Sequence, residues 1–165
     1  MLTENEEFEL FWHGPFSQWH PCTFIVSGVT YNCAEQFMMA QKALLFRDLD
    51  IHGKIMLTSD PEEMKKLGKQ AKGFNKELWD KNRFTIVLTA SIAKFTQNPD
   101  LKKILMDTEL KTLVEASPFD AIWGIKLGAN DPRALDRTKW RGINLLGQAL
   151  TQTREYIKWT EYKGD

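Results

Sequence analysis

A glutamate at the head of one segment and a lysine two helical turns further on are the first residues here whose spacing could do chemistry. In AEQFMMAQK, residues 34 to 42, Glu35 opens a stretch in which Phe37, Met38, Gln41 and Leu44 follow a helical period. Met38, Met39 and Lys42 stand at i+3, i+4 and i+7 from Glu35, on its side of such a helix. With a rise of about 1.5 Å per residue, carboxylate and ammonium would lie roughly 10 Å apart along the axis. That leaves room for a small sugar phosphate between them. Glu35 also fits a capping box with Asn32, in which the asparagine side chain takes one orphan amide and the glutamate reaches back for another. Spacing leaves both roles open.

A second acidic group follows later in the chain. Glu115 and Asp120 flank Ser117-Pro118, and Trp123-Gly124 comes immediately after. Two carboxylates beside a Trp-Gly turn suit acid–base work on a glycosidic bond. They suit equally a solvated loop with a turn-forming aspartate.

Between 65 and 83 lie Lys65, Lys66, Lys69, Lys72, Lys76, Lys81 and Arg83, against Glu77 and Asp80. Such a run is ordinarily the solvated face of a helical hairpin, although the Gly68-Lys69 step could help to hold a phosphate. It is too short and too local for duplex-wide nucleic-acid binding. No metal is expected, because His13, His20 and His52 are scattered and neither HExxH nor CxxC occurs. Cys33 falls near a helix start, which favours a thiolate, but with no histidine close in sequence it reads as a small buried thiol. There is no GxGxxG and no Walker-type loop, so no cofactor is expected either.

The elements that must position these residues read as mainly α with a small β element, an α+β domain. FELFWHG and CTFIVSGVTY hold β-prone runs, with Ser27-Gly28 as a hairpin turn. A helix is predicted from Cys33 to about Arg47. Another starts at Ser59-Asp60-Pro61 and ends near Gly73. A long helix over 76 to 97 follows Asn75, and Asn98-Pro99 ends it and begins a shorter one to about Met106. Residues 112 to 116 read as a strand, 124 to 142 as an unusually long loop, and 143 to 158 as a last helix.

With 165 residues and no repeat or linker, a single domain over 1–165 is expected. Twenty-two basic and 22 acidic side chains cancel, so no overall field draws the chain to nucleic acid or an anionic membrane. No apolar run reaches the roughly 18 to 20 residues that span a bilayer. The acidic start, MLTENEEFEL, is unlike a secretory signal, and Cys22 and Cys33 are too few for a disulfide framework. A cytoplasmic chain with free thiols, and with no obligate protein partner, is the expectation. Six tryptophans and ten phenylalanines in one small domain are a louder signal than the charge balance. Most should be core; some could be walls on which a base stacks.

Seven segments, in order, carry a further signal: PFSQW at 15 to 19, AEQFMMAQK at 34 to 42, LGKQAKGF at 67 to 74, LWDKNR at 78 to 83, KFTQNPDLKKILMDT at 94 to 108, LVEASPFDAIWGIKLG at 113 to 128, and WRGINLLGQALTQTR at 140 to 154. Together they resemble the NADAR superfamily of YbiA-like N-glycosidases. The resemblance implies a YbiA-like helical domain with a small β element from the N-terminal segment and the 112–124 region. It implies hydrolysis of the bond between a ribose carbon and a base-like nitrogen. The substrates it suggests are phosphoribosylamino-pyrimidine intermediates of riboflavin biosynthesis, or ADP-ribose attached to guanine, free or in nucleic acid. The family's functional glutamate, tryptophan and aspartate fall on Glu35, Trp79 and Asp120. Glu115 and Trp123, with Gly124, lie in the same acidic segment as Asp120, and Asn144 heads the G-x-N-x-L-G segment. Gln18, Gln36 and Lys126 depart from the pattern, which bears on the substrate more than on the reaction.

On this reading Glu35 activates water or binds the sugar, and Asp120 is the second carboxylate. Trp79 and Trp123 wall the leaving base, and Lys42, Lys69 and Arg83 are candidates for substrate phosphate. Glu115, Asn144 and Gly124 complete the substrate-binding set. A rival reading uses the same residues in a module that binds ADP-ribose or a related nucleotide without cleaving it. A third makes the rings core and the acids surface.

Overall fold

The computed structural model describes residues 6–164; the first five residues of the segment read against a secretory signal lie outside them. The chain divides into two compact units, Gln18–Asn98, and Met1–Ser17 with Pro99–Asp165.

In the first unit, β2 (Phe24–Val26) and β3 (Val29–Tyr31) form an antiparallel hairpin in which Phe24 faces Tyr31. Ser27 (φ 51°) and Gly28 (φ 79°) make its turn. Two left-handed residues match the twist of the strands, and glycine supplies one without strain. The outer edge of β2 is covered by a side chain: Gln97 accepts from Ile25 N at 2.7 Å and donates to Ile25 O at 2.8 Å.

Four helices complete the unit: α1 (Ala34–Leu45), α2 (Leu49–Leu57), α3 (Pro61–Lys69) and α4 (Lys76–Gln97). α1 packs against the other three and is their common core. Ala34, Phe37, Met38, Met39, Ala40 and Ala43 are all buried, so it lacks the single apolar stripe of a surface helix. α2 was not predicted. Asp48 caps it through Ile51 N at 3.1 Å, and Ile51 and Ile55 are buried one turn apart, but an exposed Gly53 interrupts the pattern. α3 begins as expected, with Asp60 accepting from Glu62 N, yet it stops at Lys69, short of Gly73. α4 matches its predicted span, and Asn75 caps it by accepting from Leu78 N.

In the second unit, β1 (Phe8–Phe11) runs parallel to β4 (Thr112–Glu115), pairing Phe8 with Thr112 and Phe11 with Glu115. α5 is Pro99–Met106, and α6 (Leu145–Gly164) packs on β4. Val114, Ile125, Leu127 and Ala134 form a core cluster, flanked by Phe8, Leu10 and Trp140. The stretch read as a long loop contains two 3-10 turns, Pro132–Leu135 and Arg137–Lys139, capped by Asp131 and Asp136. α6 starts later and runs further than the predicted 143 to 158. Among the described residues no helix is long and apolar enough to cross a membrane.

Candidate active site

The capping box expected at the start of α1 from Asn32 and Glu35 does not form; only a reach-back is present, and Gln36 makes it. The N-cap is Cys33, which makes no side-chain capping hydrogen bond. Asn32 instead sends its side-chain amide to Thr58 O at 3.1 Å. Its backbone N–H donates to Gln36 Oε1 at 2.8 Å, and Gln36 Nε2 donates to Ile55 O at 3.2 Å. Gln36 therefore performs the reach-back assigned to Glu35. The backbone N–H of Glu35 donates to Gln18 O at 2.9 Å, and the residue is only 4% exposed. An ionised carboxylate so far from water needs compensation. Lys42, further along the same helix, is coupled to it electrostatically.

Lys42 lies among aromatic rings. Its Nζ is 5.0 Å from the Phe74 ring centre and 5.4 Å from that of Trp79. Trp79 is buried in the first turn of α4, whereas Phe74 is exposed and meets Phe46 edge-on at 5.4 Å. Burial pulls the Lys42 amine below its ordinary range; Glu35 opposes this and Lys69 reinforces it. Lys69 comes near because α3 packs closely on α1: a Cβ at Gly68 would overlap the Met39 sulfur. Sequence reasoning passed over Phe74, although it closes the LGKQAKGF segment just after Gly73, whose φ is 77°.

Arg83, also on α4, already has an acidic neighbour, its Nη1 lying 3.1 Å from Asp80 Oδ1. Lys76 on the other side is the first cause that holds the Asp80 carboxyl below its usual range, and Arg83 adds to it. Lys66 pairs with Glu62 and Lys81 with Glu77. Much of the cationic run is thus a solvated, ion-paired helix face.

The second unit assembles the later acidic segment. Asp120 Oδ1 accepts from Ile122 N and Trp123 N, both at 2.8 Å, and so forms the turn itself. Ser117 Oγ accepts from Phe119 N and Asp120 N at 3.2 Å. Gly124 packs against β4: a Cβ there would stand 2.7 Å from Glu115 O and 3.0 Å from Glu115 Oε2. Asn144, at φ 52° and 4% exposed, accepts from Glu115 N and donates to Leu113 O, both at 3.0 Å. Its side chain acts as a short extra strand along β4. The carbonyls of Ile122, Trp123 and Gly124 accept from the amides of Leu145, Leu146 and Asn144 at 3.0 to 3.1 Å, which caps α6 with backbone.

Of the residues selected from sequence, Glu35, Lys42, Lys69 and Trp79 thus come together in the first unit, with Arg83 one turn past Trp79 on α4. Glu115, Asp120, Trp123, Gly124 and Asn144 come together in the second. Among the described residues no three His, Cys, Asp or Glu side chains are grouped to hold a metal ion. The first group offers a buried carboxylate, a cation coupled to it and a flat ring beside that cation; the second offers a rigid turn carrying an acid and an indole.

Comparison with known proteins gives the context. The NADAR domain profile matches residues 8–158. An N-glycosidase of Acanthamoeba polyphaga mimivirus is 48% identical over 145 residues, covering 85% of each chain. An N-glycosidase of Nostoc punctiforme is 30% identical over 146 residues, covering 88% of this chain and 86% of its own. The NMR structure of the Escherichia coli protein YbiA superposes with a TM-score of 0.79 at 25% identity, covering 97% of this chain and 90% of that one.

Proposed function

The chain belongs to the NADAR domain family, and from that footing we propose that it hydrolyses the bond between the anomeric carbon of a phosphoribosyl or ADP-ribosyl group and a base-like nitrogen. N-glycosidase activity in general accords with relatives that bear that name. Phosphoribosylamino-pyrimidines and ADP-ribosylated guanine are the two substrate classes that the family resemblance suggests. The observation that carries this reading is the buried Glu35 on one helix with Lys42, whose ammonium faces Trp79 and Phe74.

As the C–N bond breaks, its electron pair leaves with the nitrogen and positive charge builds on the sugar. Glu35 stabilises that charge or takes the proton of the water that attacks the anomeric carbon. The leaving base rests on Trp79, with Phe74 at its edge, because a flat ring fixes the plane of a base. Lys42 and Lys69, with Arg83 as a further cation, counter the phosphate charge. Asp120 is proposed as the second carboxylate, on the strength of its segment, with Trp123 as a wall. Glu115 belongs to the same substrate-binding set, while Asn144 and Gly124 support it by fixing the backbone around Glu115.

The test offers both substrate classes to the purified chain and follows free base together with ribose phosphate or ADP-ribose. Turnover that Asp120→Asn and Glu35→Gln each abolish, in folded protein, supports the assignment. Tight binding without product points instead to a nucleotide-binding module.

A further inference from the structure

The turn out of α1 fixes a carboxylate that reaches across to the joint between α3 and α4. Arg47 is left-handed at φ 59°, its N–H donates to Leu44 O at 3.0 Å, and Asp48 N donates to Ala43 O at 2.9 Å. These two bonds close the helix end and set the place of Asp48. One oxygen, Oδ1, caps α2 through Ile51 N at 3.1 Å. The other, Oδ2, accepts from Lys72 N at 2.9 Å, 24 residues away. A helix cap needs only the first of these bonds. The Lys72 and then the Ile51 amide hold the Asp48 carboxyl below its usual range, so it stays ionised at neutral pH.

The second bond ties down residues 70–75, and Phe74 is the side chain which that joint displays. Gly73 before it has φ 77°, and a Cβ there would stand 3.4 Å from Phe46 O. Phe46, at the end of α1, meets the Phe74 ring edge-on at 5.4 Å. Asn75 after it caps α4. Phe74 and Trp79 occupy the two positions at a helix start where apolar side chains ordinarily pack on each other. Here the Lys42 ammonium lies beside both rings. Phe74 is thus held by its backbone and by one ring edge, yet 51% of it faces water.

We propose that Asp48 is a positioning residue that holds Phe74, through its bond to Lys72 N, as a specificity-determining face for the base of the substrate. This rests on the N-glycosidase reading, in which Trp79 carries the leaving base, and adds the residue that sets the place of the second ring. Asp48 touches no reacting atom; it acts through the backbone of the joint, with Phe46 as a buttress. A ring held in advance spares the bound base the ordering of a loop. Losing that hold therefore shows in KM, with kcat little changed.

The experiment measures kcat and KM of the full chain on whichever of the two substrate classes it turns over. The variants are Asp48→Asn, Phe74→Ala, Phe74→Tyr, and Asp48→Asn combined with Phe74→Ala. Asparagine caps a helix as well as aspartate does but has one acceptor oxygen, so Asp48→Asn removes one bond and keeps the fold. Phe74→Ala should raise KM roughly 10-fold, the usual worth of a base–aromatic stack, with kcat within about twofold. Phe74→Tyr keeps the flat face and should keep the wild-type KM. Asp48→Asn should raise KM roughly 3- to 10-fold alone and no further in the Phe74→Ala background, where it has nothing left to position. Unchanged KM in Asp48→Asn, or multiplying effects in the double variant, overturns the positioning role. Unchanged KM in Phe74→Ala overturns the base contact. Should Asp48→Asn fail to fold, Phe46→Leu takes its place in the same cycle with the same expectation. If the wild-type chain cleaves neither class, the N-glycosidase reading fails by itself. The held ring is then read by GMP quenching of tryptophan emission, whose affinity must fall in Phe74→Ala and Asp48→Asn and no further in the double variant. No quenching, or equal affinity throughout, overturns it.

Discussion

The ammonium of Lys42 stands 5.4 Å from the ring centre of Trp79, joining the side chain one turn before the end of α1 to the first turn of α4. The contact packs Trp79, and its proposed role as a wall for the leaving base can be separated from that packing. Trp79→Leu keeps apolar bulk but removes the flat face. The expected result is a folded protein whose kcat/KM falls roughly 10-fold or more, the usual worth of a base–aromatic stack. Circular dichroism with steady-state kinetics checks it; unchanged kinetics would make Trp79 core only.

Asn144 is expected to act through stability. Its side chain satisfies Glu115 N and Leu113 O at a left-handed backbone position, and Asn144→Ala would orphan both groups and strain the φ. The cost should be about 3 kcal/mol, read as a lower urea midpoint. Asn144→Gly, which orphans the same groups but relieves the left-handed φ, should cost less. A raised KM at unaltered stability would instead make this side chain a substrate contact.

Lys94 predicts a pH dependence. It is 2% exposed, 5.0 Å from the Phe95 ring, and burial pulls its amine down to about 8 from an ordinary 10.5. Between those values the unfolded chain holds a proton that the folded chain has released, so this group makes stability rise with pH. The full span is worth about 3 kcal/mol. Cys22 and Cys33, which interact with it, have thiols raised by burial and act in the opposite sense above 9. The comparison of wild type with Lys94→Met separates the lysine. The variant should be the more stable at neutral pH, with the gap closing between 8 and 10.5. A constant gap across that range rules out a buried, depressed amine.

What the chain revealed in advance follows from how local each signal is. The hairpin turn at Ser27-Gly28, the Asn75 and Asp60 caps and the Asn98-Pro99 break are all written within a few residues, and each appears where expected. α2 escaped because Gly53 interrupts a short apolar pattern whose meaning depends on packing against α1. Glu35 could not be separated from Gln36 as the capping side chain, since adjacent residues at a helix start reach similar amides and tertiary contacts choose between them. Phe74 was missed because its role depends on Lys42 and Phe46, distant in sequence.

Glu35→Gln tests the account most directly. The variant keeps the shape and hydrogen-bonding reach of the side chain and removes the charge. Product release should fall by roughly 100- to 10,000-fold, the range for a lost catalytic acid or base, while thermal unfolding and ADP-ribose binding stay as in the wild type. Turnover within about twofold of the wild type would contradict a working carboxylate at the head of α1.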